Sequence, residues 1–295
     1  MNLINMNAIL NSYKKGILKD EIVHQEVEKI INKSSSIKNK EVLKTCFKSL
    51  DLTSLNLKDN ETTIKEFIEK VNKLGTLYNE IGNIAAICVY PSFVKLAYNT
   101  LNKNGIKIAT VAAGFPHSQT MIEIKLAESM LCIHDGANEI DIVLSIGKFL
   151  NGKYDEVAEE ISEIKASIKE KKLKVILETG ALETAENIYN ASTLAMEAGA
   201  DFIKTSTGKI NVSASPFSAY VMCNSIKEFY KKNKRKVGIK VAGGITSTED
   251  VINYYTIIKE ILGEEWLNND YFRIGASRVA NSLLSDFYNK DIKYF

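Results

Sequence analysis

The chain has 295 residues, of which 45% are hydrophobic and 25% charged, and its net charge is +2. This length and apolar content suit one barrel-sized domain as well as two ordinary ones. The near balance of charge, with no basic stripe interleaved with aromatic residues, argues against a nucleic-acid partner.

The amino terminus lacks the basic flank and small-residue cleavage pattern of a secretory signal. No apolar run approaches the roughly 20 residues that a membrane span requires. The cysteines have no C-x-x-C spacing, so we expect small buried side chains rather than a zinc site or disulfides, at Cys46, Cys88, Cys132 and Cys223. These patterns predict a cytoplasmic protein without a membrane partner.

Residues 1–45 carry apolar residues at near-helical spacing between Ile9 and Ile31. This spacing predicts one or two extra helices, which cap the bottom of the following domain or serve an interface. Residues 46–295 form the second predicted unit.

Apolar runs alternate with helix-period segments along residues 46–295. The predicted strands are Cys46–Leu50, Ile84–Val89, Lys107–Ala112, Glu139–Val143, Leu173–Leu177, Phe202–Thr205, Val237–Val241 and Tyr271–Ile274. The predicted helices are Thr62–Leu77, Thr120–His134, Lys153–Lys171, Ala185–Ala198, Ala219–Asn233 and Thr248–Leu262. Caps are predicted at Thr62 and Ser247.

Strands that are apolar on both faces and alternate with helices indicate a parallel sheet covered by helices. Eight such strands predict a closed (β/α)₈ TIM barrel with extra N-terminal helices. An open doubly wound sheet usually has a glycine-rich phosphate turn after its first strand, and residues 51–56 contain no such turn.

Reactive groups of such a barrel lie at the carboxyl ends of its strands. Lys204 ends one apolar run and Lys240 another, so the two amines are expected to share a pocket. Two ammonium groups about 5 Å apart repel by roughly 3 kcal/mol, which lowers the pKa of one amine by about two. A neutral lysine is the nucleophile that imine chemistry requires.

Asp141 interrupts a run that should be buried, and a buried carboxylate needs a cationic or hydrogen-bonding partner. The lysines at the barrel mouth would supply it. Glu139 shares a face with Asp141 by strand alternation, and no role is assigned to it.

Glycine-containing loops follow the last three strands, where barrels commonly bind phosphate through backbone N–H groups. The predicted phosphate-binding residues are Thr207, Gly208, Lys209, Gly243, Gly244, Gly275 and Ser277.

Seven runs together resemble the deoxyribose-phosphate aldolase family, class I aldolases on a TIM barrel. They are Asp51–Leu55, Ile87–Pro91, Phe115–His117, Gly136–Asp141, Gly199–Lys209, Gly238–Gly244 and Arg273–Ser277. The resemblance implies reversible cleavage of 2-deoxy-D-ribose 5-phosphate to acetaldehyde and D-glyceraldehyde 3-phosphate, without metal or other cofactor. It makes Lys204 the imine-forming lysine, Lys240 the second active-site lysine and Asp141 the proton shuttle.

Two departures concern the phosphate site. Thr246 stands close after the double glycine, where the family usually has arginine, and Arg278 replaces a small hydroxyl residue. Tyr294 is one residue from the position of a C-terminal tyrosine that assists proton transfer in part of the family. Another lysine-dependent aldolase or transaldolase, or a catalytically silent sugar-phosphate-binding barrel, stays open as an alternative, as does a homo-oligomer.

Overall fold

The computed structural model describes residues 5–13, 19–102 and 105–295. Eight parallel strands follow one another in sequence order around a closed barrel, and the last pairs with the first. They are β1 (Leu50–Thr53), β2 (Ala86–Val89), β3 (Lys107–Val111), β4 (Glu139–Val143), β5 (Lys172–Ile176), β6 (Phe202–Lys204), β7 (Gly238–Ala242) and β8 (Phe272–Ala276). The predicted (β/α)₈ TIM barrel is confirmed.

Helices surround this barrel. Those of the described residues are α1 (Met6–Tyr13), α2 (Asp20–Ile31), α3 (Lys40–Lys48), α4 (Glu61–Leu77), α5 (Val94–Thr100), α6 (Ile122–His134), α7 (Ile146–Leu150), α8 (Tyr154–Ile168), α9 (Thr179–Leu182), α10 (Ala185–Glu197), α11 (Pro216–Asn233), α12 (Thr248–Leu262) and α13 (Val279–Tyr288). Short 3-10 helices cover Ser34–Ile37, Pro91–Phe93 and Glu264–Trp266. No helix in the described ranges is long and apolar enough to cross a membrane.

The first predicted strand, Cys46–Leu50, is wrong. Cys46 lies in α3, and β1 begins at Leu50. The buried residues Val42, Leu43, Cys46 and Phe47 follow helical rather than alternating spacing. The predicted boundary between residues 45 and 46 therefore falls inside α3.

Helix capping agrees with the sequence at one of two places. Ser247 caps α12 in a reciprocal capping box with Asp250, as predicted. The cap of α4 is not Thr62 but Asn60, whose side chain accepts a hydrogen bond from the backbone N–H of Thr63. Asn60 is the N-cap residue because its side-chain oxygen reaches the free N–H groups of the first turn.

The first two helices lie along the side of the barrel. α1 packs on α8 and α10, and the hydroxyl of Tyr13 donates to Glu197 Oε1 at 2.6 Å. α2 packs on α11 and α12, and Asp20 Oδ1 accepts a hydrogen bond from the backbone N–H of Ala185 at 2.9 Å. These contacts place α1 and α2 against the outer helical layer.

The main hydrophobic core lies between the strands and the surrounding helices. A smaller cluster lies apart from it and comprises Leu55, Ala86, Cys88, Ala109 and Val111, with Tyr90 and Phe115 packed against it. All four cysteines are buried and unpaired, as predicted.

Candidate active site

The strands carry charged side chains at positions where a barrel interior is normally filled by apolar ones. Three carboxylates and four cations form one network, and every member is at most 4% exposed: Asp51, Glu139, Asp141, Lys174, Lys204, Lys240 and Arg273. We call these residues the charged cluster. Such a concentration of buried charge is costly unless the groups pair with one another.

Asp141 on β4 is the centre of the charged cluster. Its Oδ2 accepts hydrogen bonds from Lys204 Nζ and Lys240 Nζ, each at 2.9 Å. Its Oδ1 accepts one from Lys174 Nζ at 2.7 Å. The structure therefore brings the three sequence-predicted catalytic residues together, with the two predicted lysines on the same carboxylate oxygen.

A second group of ion pairs supports this centre. Asp51 Oδ2 lies 2.7 Å from Lys240 Nζ, and Asp51 Oδ1 lies 2.6 Å from Arg273 Nη1. Glu139 contacts Lys174 at 2.7 Å and Arg273 at 2.8 Å. Glu139 and Asp141 thus point to the same side of β4, as strand alternation predicts.

Two cations of the charged cluster, Lys174 and Arg273, are not among the site residues predicted from the sequence. Both carry the signal that identified Lys204 and Lys240, because each is a cation inside an apolar strand. Lys174 bridges Asp141 and Glu139, and Arg273 bridges Asp51 and Glu139. These two cations position the carboxylates that contact the lysines.

The charged cluster contains one more cation than carboxylates. Loss of one proton would make the charged cluster neutral. Lys204 is the lysine that loses its proton most easily. Burial lowers the pKa of Lys204 below the ordinary lysine value, Asp141 opposes this effect, and the ammonium of Lys240 adds to it. Lys204 also keeps 4% of its side chain exposed, whereas Lys174 and Lys240 keep none.

Lys240 and Asp141 have the opposite tendency, because both are held in their charged forms. Burial by itself would lower the pKa of Lys240, but Asp141 and Asp51 outweigh it and raise that pKa above the ordinary value. Burial would raise the pKa of Asp141, but Lys174, Lys204 and Lys240 outweigh it and hold that pKa well below its usual range.

Residues 45–254 match the family model described as DeoC/LacD family aldolase. The chain belongs to this aldolase family. The deoxyribose-phosphate aldolase of Homo sapiens is 40% identical over 250 residues, which are 81% of this chain and 79% of the human protein.

Solved structures agree with the fold of this aldolase. A putative deoxyribose-phosphate aldolase from Toxoplasma gondii superposes with a TM-score of 0.75 at 22% identity, over 85% of this chain and 95% of the other. The deoxyribose phosphate aldolase from Aeropyrum pernix, described as a unique tetrameric structure, gives a TM-score of 0.65 at 22% identity, over 88% and 97% of the two chains.

The loops after β6 and β7 of the aldolase meet at two predicted phosphate-binding glycines. A Cβ on Gly243 would lie 3.3 Å from the Cα of Gly208. Gly208, Gly243 and Gly244 all have φ between +74° and +88°, a conformation that favours glycine. These three glycines thus permit two backbone segments to approach one another closely near the cluster.

Two further predicted residues of the β6 loop have protein partners. The hydroxyl of Thr207 donates to Glu178 Oε2 at 2.5 Å. The Nζ of Lys209 donates to the carbonyl oxygen of Leu55 and joins the β6 loop to the loop after β1. Glu178, two residues after β5, therefore fixes the segment that follows Lys204.

Gly275 lies within β8, which extends two residues further than predicted. A Cβ on Gly275 would lie 2.8 Å from Ala242 Cβ and 2.9 Å from Lys240 Cε. Glycine at this position therefore provides the space that the Lys240 side chain occupies.

The region after β8 is exposed. Ser277 lines a cavity together with Thr53, Lys70 and Phe295, and its neighbour Arg278 is exposed as well. Tyr294 donates its hydroxyl to the carbonyl oxygen of Lys70 at 2.7 Å. The phenol of Tyr294 therefore contacts α4 and not Lys204.

Proposed function

We propose that this aldolase reversibly cleaves 2-deoxy-D-ribose 5-phosphate to acetaldehyde and D-glyceraldehyde 3-phosphate through a Schiff base on Lys204. The family match and the 40% identical human deoxyribose-phosphate aldolase support the reaction. The contrast between Lys204 and Lys240 carries the assignment of the nucleophile. The side chain of Lys204 is 4% exposed and its pKa is lowered, whereas Lys240 is fully buried and its pKa is raised.

The first step is addition of the neutral Lys204 amine to the C1 aldehyde of the open-chain sugar. The resulting carbinolamine loses its hydroxyl as water, and this departure needs a proton donor. Lys240 is suited to that task because its carboxylate neighbours keep it charged. The product is an iminium ion on Lys204.

The second step breaks the C2–C3 bond. The C3 hydroxyl loses its proton, C3 becomes the aldehyde carbon of D-glyceraldehyde 3-phosphate, and the bonding electrons form an enamine with the Lys204 nitrogen. Protonation at C2 and addition of water then release acetaldehyde and the free amine. Asp141, 2.9 Å from both amines, is the group that we propose to carry protons through a water molecule.

We assign phosphate binding to the glycine-rich loops. Gly208, Gly243 and Gly244 present backbone N–H groups where the loops after β6 and β7 meet, and Thr207 and Lys209 extend this surface. Gly275 in β8 and Ser277 just after it complete the proposed set. The phosphorylated sugar is therefore the proposed partner of this site.

We further propose that the protein works in the cytoplasm and associates with copies of itself. Four unpaired cysteines suit a reducing compartment. The relative from Aeropyrum pernix is a tetramer.

Reduction of the Schiff base tests the nucleophile. The protein is incubated with acetaldehyde and sodium borohydride, and mass spectrometry of its peptides is expected to find an ethyl adduct on Lys204. Lys204→Met should abolish the adduct, while Lys165→Met, which removes a lysine outside the charged cluster, should not. A missing adduct would contradict both aldolase mechanisms and favour the sugar-phosphate-binding barrel.

Substrate comparison separates the two kinds of lysine-dependent enzyme. Cleavage of 2-deoxy-D-ribose 5-phosphate is measured beside that of ketose phosphates, which transaldolases use. We expect turnover of the deoxy sugar with release of acetaldehyde. An adduct on Lys204 combined with exclusive turnover of ketose phosphates would instead support the transaldolase alternative.

A further inference from the structure

Glu178 is a buried carboxylate that lies outside the charged cluster. Four carboxylate side chains are buried among the described residues, and the other three, Asp51, Glu139 and Asp141, all pair with cations of the charged cluster. Glu178 is 5% exposed and takes part in no ion pair within the described ranges. A buried carboxylate is costly unless hydrogen bonds replace those that it made with water. The hydrogen bonds of Glu178 therefore indicate what this residue does.

Both carboxylate oxygens of Glu178 bind one residue of the β6 loop, which comprises residues 205–215. Oε1 accepts a hydrogen bond from the backbone N–H of Thr207 at 3.2 Å, and Oε2 accepts one from the Thr207 hydroxyl at 2.5 Å. The hydroxyl oxygen in turn accepts a hydrogen bond from the backbone N–H of Lys209 at 3.0 Å. Because an ionised carboxylate can only accept, Glu178 fixes the direction in which the Thr207 hydroxyl donates. The result is a turn from Thr207 to Lys209 with Gly208 at its centre.

The backbone of Glu178 has a conformation that is unfavourable for a residue with a side chain. Its φ is 53° and its ψ is 60°, in the left-handed region that disfavours residues with a Cβ. The N–H of Leu177 donates to the carbonyl oxygen of Lys204 at 2.8 Å. On the other side of Glu178, the N–H of Thr179 donates to the carbonyl oxygen of Thr205 at 2.9 Å. Backbone strain of this kind is concentrated at functional sites, and here it accompanies a side chain that contacts the segment following Lys204.

A second contact joins the loop after β5 to the β6 loop. A Cβ on Gly180 would lie 2.2 Å from the carbonyl oxygen of Val212, so only glycine permits this approach. The loop after β5 therefore holds the β6 loop on both sides of Gly208, at Thr207 and at Val212. The N–H of Gly208 has no acceptor within the described ranges. This N–H is therefore available to an anionic ligand.

We propose that Glu178 is a positioning residue for phosphate recognition, because it holds Thr207 in the turn that offers the Gly208 N–H to the substrate phosphate. This inference rests on the proposed function, in which the β6 loop binds that phosphate. Glu178 acts through Thr207, since both of its oxygens are occupied by that residue. Direct contact between the carboxylate and the phosphate would instead be repulsive, because both groups are negative.

Kinetics with two sugars that differ only in the phosphate test this role. We expect KM for 2-deoxy-D-ribose 5-phosphate to rise roughly tenfold in Glu178→Ala and about threefold in Glu178→Gln, which keeps one acceptor. The kcat for this sugar and the cleavage of unphosphorylated 2-deoxyribose should not change. Glu183→Ala is the matched control, because Glu183 lies in the same loop with a φ of 63° but is exposed. Equal losses with both sugars, or an unchanged KM in Glu178→Ala, would overturn the proposal.

A double-mutant cycle tests whether Glu178 acts through Thr207. Thr207→Val removes the hydroxyl and keeps the shape of the side chain, so it should raise KM for the phosphorylated sugar several-fold. Once Glu178 is alanine, the loss of the hydroxyl should matter little, and the double variant should raise KM by at most about twofold beyond Glu178→Ala. Two effects that multiply in full would show that the residues act independently, which contradicts the proposal.

Two readouts separate this role from the proposed catalysis. Acetaldehyde carries no phosphate, so borohydride trapping on Lys204 should be the same in Glu178→Ala as in the unsubstituted protein. Inorganic phosphate is the second probe, and its dissociation constant, measured by calorimetry, should rise roughly tenfold in Glu178→Ala. A missing adduct in the unsubstituted protein would contradict the Schiff base alone, whereas an unchanged dissociation constant for phosphate would overturn the role of Glu178. A Glu178→Ala protein without the circular dichroism spectrum of the unsubstituted protein is unfolded, and Glu178→Gln, which has nearly the size of glutamate, then replaces it.

Discussion

Lys240 and Asp51 form a 2.7 Å ion pair between β7 and β1, and both side chains are fully buried. This pair gives Lys240 a second carboxylate in addition to Asp141, whereas Lys204 contacts Asp141 alone. The number of carboxylate neighbours therefore separates the two lysines. One stays an ammonium and the other is able to lose its proton.

Asp51→Asn should remove this distinction. Without Asp51 the pKa of Lys240 falls, so its charged form is lost at lower pH than in the unsubstituted protein. We expect the basic limb of the kcat profile to move to lower pH and the stability to fall by about 3–5 kcal/mol, because a buried pair is broken. Urea unfolding measures the second effect. Asp59→Asn, in a partly exposed hydrogen-bond network of the loop after β1, is the control.

The acidic limb should report Lys204. Its pKa is lowered, so the amine is neutral above that pKa and imine formation slows as the pH falls through it. Lys240→Met removes a repelling ammonium and leaves Asp141 Oδ2 to Lys204 alone. We expect the acidic limb of borohydride trapping to move up by about two pH units. Lys240→Arg keeps the positive charge, so it should move the acidic limb by less. Equal acidic limbs in the two variants would contradict the repulsion between Lys240 and Lys204 as the cause.

Lys174→Met tests the positioning of Asp141. The substitution keeps the length of the side chain but leaves Asp141 Oδ1 and Glu139 without their lysine contact. We expect a loss of about 3–5 kcal/mol in stability and a fall in kcat with little change in KM. Lys165→Met, which breaks a partly exposed pair with Asp201, should cost at most about 1 kcal/mol. Unchanged kcat in folded Lys174→Met would exclude the positioning role.

Gly275→Ala should disturb Lys240 through contact alone. The added Cβ would lie 2.9 Å from Lys240 Cε and 2.8 Å from Ala242 Cβ. We expect a cost of about 1–3 kcal/mol from overpacking and a kcat roughly tenfold lower. Gly147→Ala is the control, because the nearest atom to its Cβ is Gln119 Nε2 at 3.9 Å. If both substitutions lowered kcat and stability to a similar extent, steric contact between residue 275 and the Lys240 side chain would not be the cause.

Arg278→Ala tests whether this exposed cation assists phosphate binding. We expect KM for 2-deoxy-D-ribose 5-phosphate to rise up to about fivefold, since an exposed charge contact contributes at most about 1 kcal/mol. Cleavage of unphosphorylated 2-deoxyribose should not change. Lys293→Ala, whose side chain is 83% exposed, controls for a general loss of positive charge. An equal effect on both sugars would contradict a role in phosphate recognition.

The order of strands and helices could be predicted from local patterns. The limits of β4 and α12 agree with the prediction residue for residue, because clear apolar runs and, at α12, a capping box define them. The first strand was misplaced since Val42 to Phe47 are apolar in either conformation and only packing selects the helix. Lys204, Lys240 and Asp141 could be selected because a charge in an apolar strand requires a partner.

Sequence by itself thus determined the strand count, the barrel and which buried charges needed partners, because these follow from periodicity and desolvation along the chain. Only the tertiary structure decided which charges meet. Asp51 and Lys240 are far apart in sequence, and the closure of the barrel brings them together. This ion pair, together with the ion pairs that Lys174 and Arg273 form with carboxylates, sets which lysine is free to lose its proton.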